Sequence, residues 1–357
     1  MAEYIKSIFG DKLALPLPVS LDGDARLPSP EELKGKILIK GKVNAAENTE
    51  EAENEDEDDF EQEGLTEAEA QTVREIEEQR REDQKKKVAE ALEQCVYLRG
   101  QKFKGFEQSL ANDNCTHMSS FSESKTEKLL KSKKEEWIAH NQRQMSRIYP
   151  AGRRVDSSNY DPVPSWAVGS QIVALNYQTP GAPMHCNTGL FRDNGNCGYV
   201  LKPPPLLPGG ELSGGMRTSG VRQMLQLQIL SAQHLPKPEG ELKGEVIDPY
   251  VQIEVKGHST DSFAGKTKTI TDNGFNPVFG EVFRIPLAFP ELAMIRFAVY
   301  DHDLANADDF IAQSAMRVQN IRTGLRRVNL FSDRGTREGR FEFASLLVKV
   351  GLQEVKS

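Results

Sequence analysis

The chain has 357 residues, 38% of them hydrophobic, four cysteines and a formal net charge of −8. That length points to two or three domains, and no apolar run reaches the length of a membrane span or reads as an N-terminal signal segment, which argues against an integral membrane or secreted protein. Cys95, Cys115, Cys186 and Cys197 show no CxxC spacing, so free thiols in a reducing compartment are expected rather than zinc or disulfides.

In chain order, residues 1–43 read as the tail of a domain. EYIKSIFG is a helix end with Gly10 as its cap, and LPSPEELKGKILIKGKV gives a turn and a short strand, Lys36–Lys40. One helix end and one strand cannot bury a core, so this piece must pack on something else. Residues 44–92 read as a linker, largely disordered. Between Glu47 and Glu63 lie eleven Asp or Glu and no Lys or Arg, and without them the net charge of −8 becomes +3. The acidity therefore belongs to one segment and not to the folded surface. The stretch that follows is helix-compatible, with a thin apolar stripe of Val73, Ile76, Val88 and Leu92.

Residues 93–205 return to globular composition. CVYL, HMSSFS, SRIY, QIVALNY and GYVLKP read as strands, with a helix over ESKTEKLLKSKKEEWIAHNQRQM between the second and third. Strands alternating with helices or long loops indicate a parallel α/β layout, and about five strands make half of a closed barrel. Residues 206–221 form a Pro/Gly-rich connector. Residues 222–357 change to pure β, with MLQLQIL, YVQIEV, IRFAVY and FASLLVKV mostly alternating, as in an antiparallel sandwich.

Asp248, Asp272, Asp301, Asp303 and Asp309 sit where these last strands run out into loops. One such aspartate is an ordinary turn residue. Five at one end of a sandwich repel each other, and a hard cation with many oxygen ligands, Ca²⁺, relieves the repulsion.

With VIDPYV, TDNGFNPVF and VYDHDLANADDF, this region resembles the C2 domain. The resemblance implies Ca²⁺ bound by Asp248, Asp272, Asp301, Asp303, Asp309 and the carbonyl of Val246, and docking on an anionic membrane surface. Upstream, MSSFSES, SRIYPAG, RVDSSNYDP, QIVALNYQTPG and FRDNGNCGYVLKP resemble the Y region of eukaryotic phosphoinositide-specific phospholipase C. Residues 1–43 resemble the end of its X region, and the acidic segment falls at its X–Y linker. The pattern is most similar to a delta-type member. The implied fold is α/β plus all-β: the second half of a (β/α)8 TIM-like barrel followed by a C2 β-sandwich. The implied activity is Ca²⁺-dependent hydrolysis of phosphatidylinositol 4,5-bisphosphate to diacylglycerol and inositol trisphosphate, at a cytoplasmic, peripheral membrane location.

By the same resemblance, Lys40 and Lys42 contact the 4- and 5-phosphates, Ser120 and Arg147 contact the 4-phosphate, and Tyr149 packs on the inositol ring. Each residue type suits its role: point charge, neutral donor, planar fork and flat apolar face. The family's catalytic histidines belong to the X half. None of His117, His140, His185, His234, His258 and His302 replaces them, with His185 expected in a loop. The chain is therefore expected to contain no catalytic residue and to be inactive without the missing X half. The alternative is a non-catalytic membrane-binding C2 protein with a residual phosphoinositide pocket, and a scaffold whose linker binds partners is a weaker third. The implied linker role is to cover the active site until an anionic membrane repels it, against an inert solubilising spacer. Two positions depart from the delta-type pattern. Arg153 and Glu127 stand where an apolar membrane-dipping ridge carries Trp and Leu, so Arg153 is expected to meet anionic headgroups instead.

Overall fold

The computed structural model describes residues 1–15, 26–42, 90–111, 114–212, 220–238, 246–304 and 306–355. The acidic run and most of the helix-compatible stretch after it lie outside these residues. Chain contacts divide the protein into two units, Met1–Arg153 and Arg154–Ser357.

The first unit is built on four parallel strands, β1 (Lys40–Lys42), β2 (Leu98–Gln101), β3 (His117–Ser122) and β4 (Met145–Tyr149), paired in that order. Parallel neighbours need crossovers. After α1 (Ala2–Phe9), these are α2 (Glu90–Glu93) before β2, α3 (Phe106–Ala111) before β3, and α4 (Glu123–Ser132) with α5 (Lys134–Asn141) before β4. Gly10 caps α1 at φ 50°, its N–H on the Lys6 carbonyl, as a residue without Cβ can.

β4 alternates half-buried Met145, Arg147 and Tyr149 with buried Ser146 and Ile148. The buried row faces the helices. The Trp137 indole N–H donates to Ser146 Oγ at 3.1 Å, and that hydroxyl donates to Asn141 Oδ1 at 2.6 Å. Phe121 of β3 stacks on the same side, 5.0 Å from Trp137 and 4.9 Å from Phe103 between ring centres. The opposite face of β3 and β4 is thereby left for the site.

Several elements differ from expectation. The first strand is Lys40–Lys42 rather than Lys36–Lys40, because Ile37 instead bridges Leu13. CVYL is buried lead-in, with Cys95, Val96 and Tyr97 in the core, and pairing starts at Leu98. The long helix breaks at Lys133 (φ −140°, ψ 37°), whose N–H closes on the Leu129 carbonyl. GYVLKP forms no strand, and QIVALNY contributes only β5 (Ile172–Val173).

In the second unit, α6 (Val163–Trp166), β5 and α7 (Ala182–Phe191) precede eight further strands. These are β6 (Gln223–Gln233), β7 (Pro249–Lys256), β8 (Phe263–Lys266), β9 (Val282–Leu287), β10 (Met294–Asp301), β11 (Asp309–Arg317), β12 (Gly324–Asn329) and β13 (Ser345–Glu354). They form two antiparallel sheets, β11-β10-β7-β8 and β12-β13-β6-β9. Inward residues at period two fill the space between them, among them Leu225, Leu227 and Ile229 of β6, Val251, Ile253 and Val255 of β7, and Ile295, Phe297 and Val299 of β10.

β10 is buried on both faces along Met294–Val299. Its outer face lies under α7, where Met294 packs with Val163 and Cys186. His185 is therefore in a helix and not in a loop. Arg296, 5% exposed, donates from Nη1 to Glu254 at 2.6 Å and from Nε to His185 Nδ1 at 3.1 Å. The other imidazole nitrogen of His185 lies 2.7 Å from Asp333 Oδ1. All four cysteines are free, and only Cys197 is exposed.

Candidate functional site

The open face of the first unit's sheet collects the expected headgroup residues. In register, Ser120 of β3 lies beside Arg147 of β4, Ser122 beside Tyr149, and Lys42 of β1 beside Gly100 of β2. Strand residues two apart share a face. Lys40 and Lys42 therefore project together, as do Arg147 and Tyr149, while Gly41 between the lysines turns toward Val96 on the other side. Lys40, Lys42 and Ser120 are exposed, and Arg147 and Tyr149 are half-buried. The Arg147 guanidinium carbon is 5.3 Å from the centre of the Tyr149 ring, a cation–π distance that fixes the orientation of both groups.

The charges on this face are of one sign. Partial burial, then the nearby Arg147 and Lys42 charges, hold the Lys40 ammonium below the usual lysine range. Among the described residues no carboxylate pairs with Lys40, Lys42 or Arg147. Three cations sharing a face without a counter-ion raise each other's energy, and a bound polyanion lowers it. The unit's two histidines are elsewhere. His117 is on the back of β3, 3.5 Å from Gln101 Nε2, and His140 is buried with its Nδ1 2.7 Å from Ser109 Oγ.

At the rim, Ser122 caps α4 by accepting the Lys125 N–H at 3.3 Å. Glu123, 4% exposed at the side chain, accepts the Ala151 N–H at 3.2 Å. Arg153 is bound into this corner, 2.9 Å from Ser124 Oγ and 3.7 Å from Glu123. These contacts orient its guanidinium, while the side chain stays 54% exposed and open to solvent at the rim. Ser122 and Glu123 carry this corner, and sequence reasoning passed over both. The Ser-Glu pair at the head of a helix was the available signal, since a hydroxyl cap followed by a first-turn acid suits a helix N-terminus.

In the sandwich, four of the five expected aspartates meet at one end. Asp301 is the register partner of both Asp309 and Pro249. The Asp248 N–H donates to Asp301 Oδ1 at 2.6 Å, and the Asp272 N–H donates to Asp248 Oδ1 at 2.7 Å. Asp272 sits at φ 52°. Asp303 accepts from Asn306 Nδ2 at 3.1 Å, and Val246 is exposed. Asp308 is the residue missed here. Its carboxylate takes the Tyr250 hydroxyl at 2.7 Å, the Asp303 N–H at 3.1 Å and His302 Nδ1 at 2.9 Å. The bonds to Tyr250 and His302 hold its carboxyl below the usual range. A hard cation suits this all-oxygen donor set. Yet among the described residues no three His, Cys, Asp or Glu side chains close on one point. The backbone bonds of Asp248 and Asp301 occupy oxygens that a cation would need.

Comparison with known proteins gives three family matches: phosphatidylinositol-specific phospholipase C, X domain, over residues 1–43; the Y domain of the same enzymes over 92–205; and the C2 domain over 223–332. A 1-phosphatidylinositol 4,5-bisphosphate phosphodiesterase delta-4 from Xenopus laevis is 39% identical over 352 residues, 94% of this chain and 45% of that protein. An inactive phospholipase C-like protein 1 from Homo sapiens is 38% identical over 339 residues, 93% of this chain and 30% of that protein. The crystal structure of S. officinalis PLC21 matches with a TM-score of 0.76 at 30% identity, over 100% of this chain and 43% of that one. The chain spans less than half the length of these relatives.

Proposed function

Because the chain belongs to the phosphatidylinositol-specific phospholipase C family, we propose that it supplies the headgroup-binding half of a Ca²⁺-dependent phosphatidylinositol 4,5-bisphosphate phosphodiesterase, together with its membrane-docking C2 domain. The observation that carries this reading is the convergence of Lys40, Lys42 and Arg147 on one sheet face, with no carboxylate paired to them among the described residues. Lys40 and Lys42 take the 4- and 5-phosphates as point charges, Arg147 and the Ser120 hydroxyl take the 4-phosphate, and Tyr149 lies against the ring. These residues bind and orient the lipid headgroup, and its orientation sets which hydroxyl reaches phosphorus. The acid–base histidines come from the complementary X half. The products are diacylglycerol and inositol trisphosphate.

No helix among the described residues is long and apolar enough to cross a membrane. The C2 match supports the reading that the enzyme meets its lipid as a cytoplasmic protein docking peripherally on anionic membrane. Asp248, Asp272, Asp301, Asp303, Asp309 and the Val246 carbonyl would hold Ca²⁺ once the cation displaces the backbone donors now on Asp248 and Asp301. The ion supplies positive charge toward lipid phosphate and carboxylate oxygens.

The test adds this chain to the separately purified X half and measures inositol trisphosphate release from mixed micelles. Activity is expected only with both pieces and Ca²⁺, and Arg147→Ala should lower kcat/KM by about a hundredfold, the loss of one charge-assisted phosphate contact of about 3 kcal/mol. Full activity of the Arg147 variant would sink the site, and release by this chain alone would sink the division of labour. The relative described as inactive motivates a second reading, phosphoinositide binding without turnover. Headgroup binding with no release in the same assay would favour it.

A further inference from the structure

β2 lies between the two groups of cations, and its position on the site face beside Lys42 is a glycine. In register, Gly100 pairs with Lys42 on one side and Met118 on the other, two residues short of Ser120 on the same face. A Cβ built at Gly100 would lie 3.3 Å from the Gly41 carbonyl oxygen and 3.9 Å from Lys40 Cε. The Lys40 stem therefore leans over β2, in van der Waals contact with a Cβ at that position and in the path of a branched side chain there. Adjacent strands are about 4.8 Å apart, so β1 and β4 stand about 14 Å apart. A lysine held upright on β1 would act on an anion separately from Arg147. Lying across Gly100, it comes close enough for the Arg147 charge to act on its ammonium.

We propose that Gly100 is a positioning residue and sets headgroup selectivity: it lets Lys40 reach across β2, so that Lys40, Lys42 and Arg147 act on one cluster of phosphates. This rests on the phosphoinositide reading of the site and adds a selectivity determinant to it. The backbone at Gly100 does not require glycine, since its φ is not in the left-handed region. A Cβ there requires the Gly41 carbonyl of β1 to give by a few tenths of an ångström, and Val favours a strand more than Gly does. What a side chain costs is the path of the Lys40 stem.

The test titrates this chain, its Gly100→Ala and Gly100→Val variants and Lys42→Ala with inositol 1,4,5-trisphosphate and inositol 1,4-bisphosphate by calorimetry. The wild type is expected to prefer the trisphosphate at least tenfold. Gly100→Val should cut that preference to about twofold while the chain still melts cooperatively, and Gly100→Ala should fall between. A second readout separates positioning from general damage. Lys42 on its own strand and Arg147 and Tyr149 on β4 are the titratable groups on this face, while β2 offers Leu98 and Gly100 and β3 offers Met118 and Ser120. Partial burial, then the Arg147 and Lys42 charges, make Lys40 lose its proton more readily, so a Lys40 turned off β2 into solvent in Gly100→Val should keep its proton, and the ligand, to a higher alkaline pH than in the wild type. If Gly100→Val keeps both the preference and the pH limb while Lys42→Ala loses binding, the site stands and the role of Gly100 is wrong. If the wild type binds neither ligand, both are wrong.

Discussion

At the scale of single residues, a side chain's partners decide what its charge can do. Arg153 reads in sequence as a cation on the rim, and Glu123 and Ser124 orient it there while leaving its side chain exposed. That Lys40, Lys42, Ser120, Arg147 and Tyr149 share one sheet face was legible, because each lies within or beside a motif on an alternating strand; their roles toward a headgroup are the proposal. Gly100 and Asp308 were not legible, because their roles depend on neighbours across strands or within a folded loop. His185 gives a pH prediction. Burial first, and then the Arg296 charge, push its pKa down, against the pull of Asp333. The folded state therefore favours neutral imidazole, while the unfolded chain takes up a proton below about pH 6.5. Stability from this site is complete above that pH and is lost as pH falls from there toward the lowered folded pKa. The second unit should thus melt at a lower temperature at pH 5.5 than at pH 7, and His185→Gln should flatten the difference. An equal drop in both proteins would refute the assignment.

At the scale of elements, the strands legible in sequence are those with one clean buried row, such as β6, β7 and β13. β10 was legible for a different reason, as an apolar run covered on both faces. The strands passed over break these patterns. β12 buries only Val328, and β9 carries Pro286. β11 buries the polar Gln313, whose amide donates to the Ser332 carbonyl at 3.1 Å. α7 shows an opposite conflict. Gly189 in its interior would ordinarily gain about 1 kcal/mol from replacement by Ala. Here a Cβ would stand 2.4 Å from the Ala315 carbonyl oxygen of β11. Backbone cannot give as a flexible side chain can, so overpacking wins. Gly189→Ala should destabilise the unit by about 1–3 kcal/mol, read as a lower denaturant midpoint, and a rise in the midpoint would show that α7 is free to lift.

At the scale of the whole molecule, composition hides a division of charge. The net −8 combines a run of eleven carboxylates with a remainder of +3, so the folded parts can approach an anionic surface while the run opposes it. On the proposed reading, the sandwich adds a cation-dependent contact. Asp301→Asn with Asp303→Asn should weaken Ca²⁺-dependent sedimentation with phosphatidylserine vesicles by tenfold or more, with melting in chelator unchanged. Equal sedimentation by both proteins would remove Ca²⁺ from the role assigned to these loops. The order of the pieces was legible because composition shifts where the X, Y and C2 matches meet, but the break between compact units at Arg153 and Arg154 was not, since it falls inside the globular stretch 93–205. The attachment of α7 to β10 and β11 was not, since no local pattern records which outer strand face is covered.

That attachment bears on how the sandwich could be inherited or borrowed as a part. Cut free at residue 222, it would leave Met294 without Val163 and Cys186, and Arg296 without His185. The outer face of β10 would become an oily scar with a half-satisfied guanidinium in its middle. The transferable piece is longer than the repeating pattern of its strands suggests: it starts near residue 154 and carries its own helical lid.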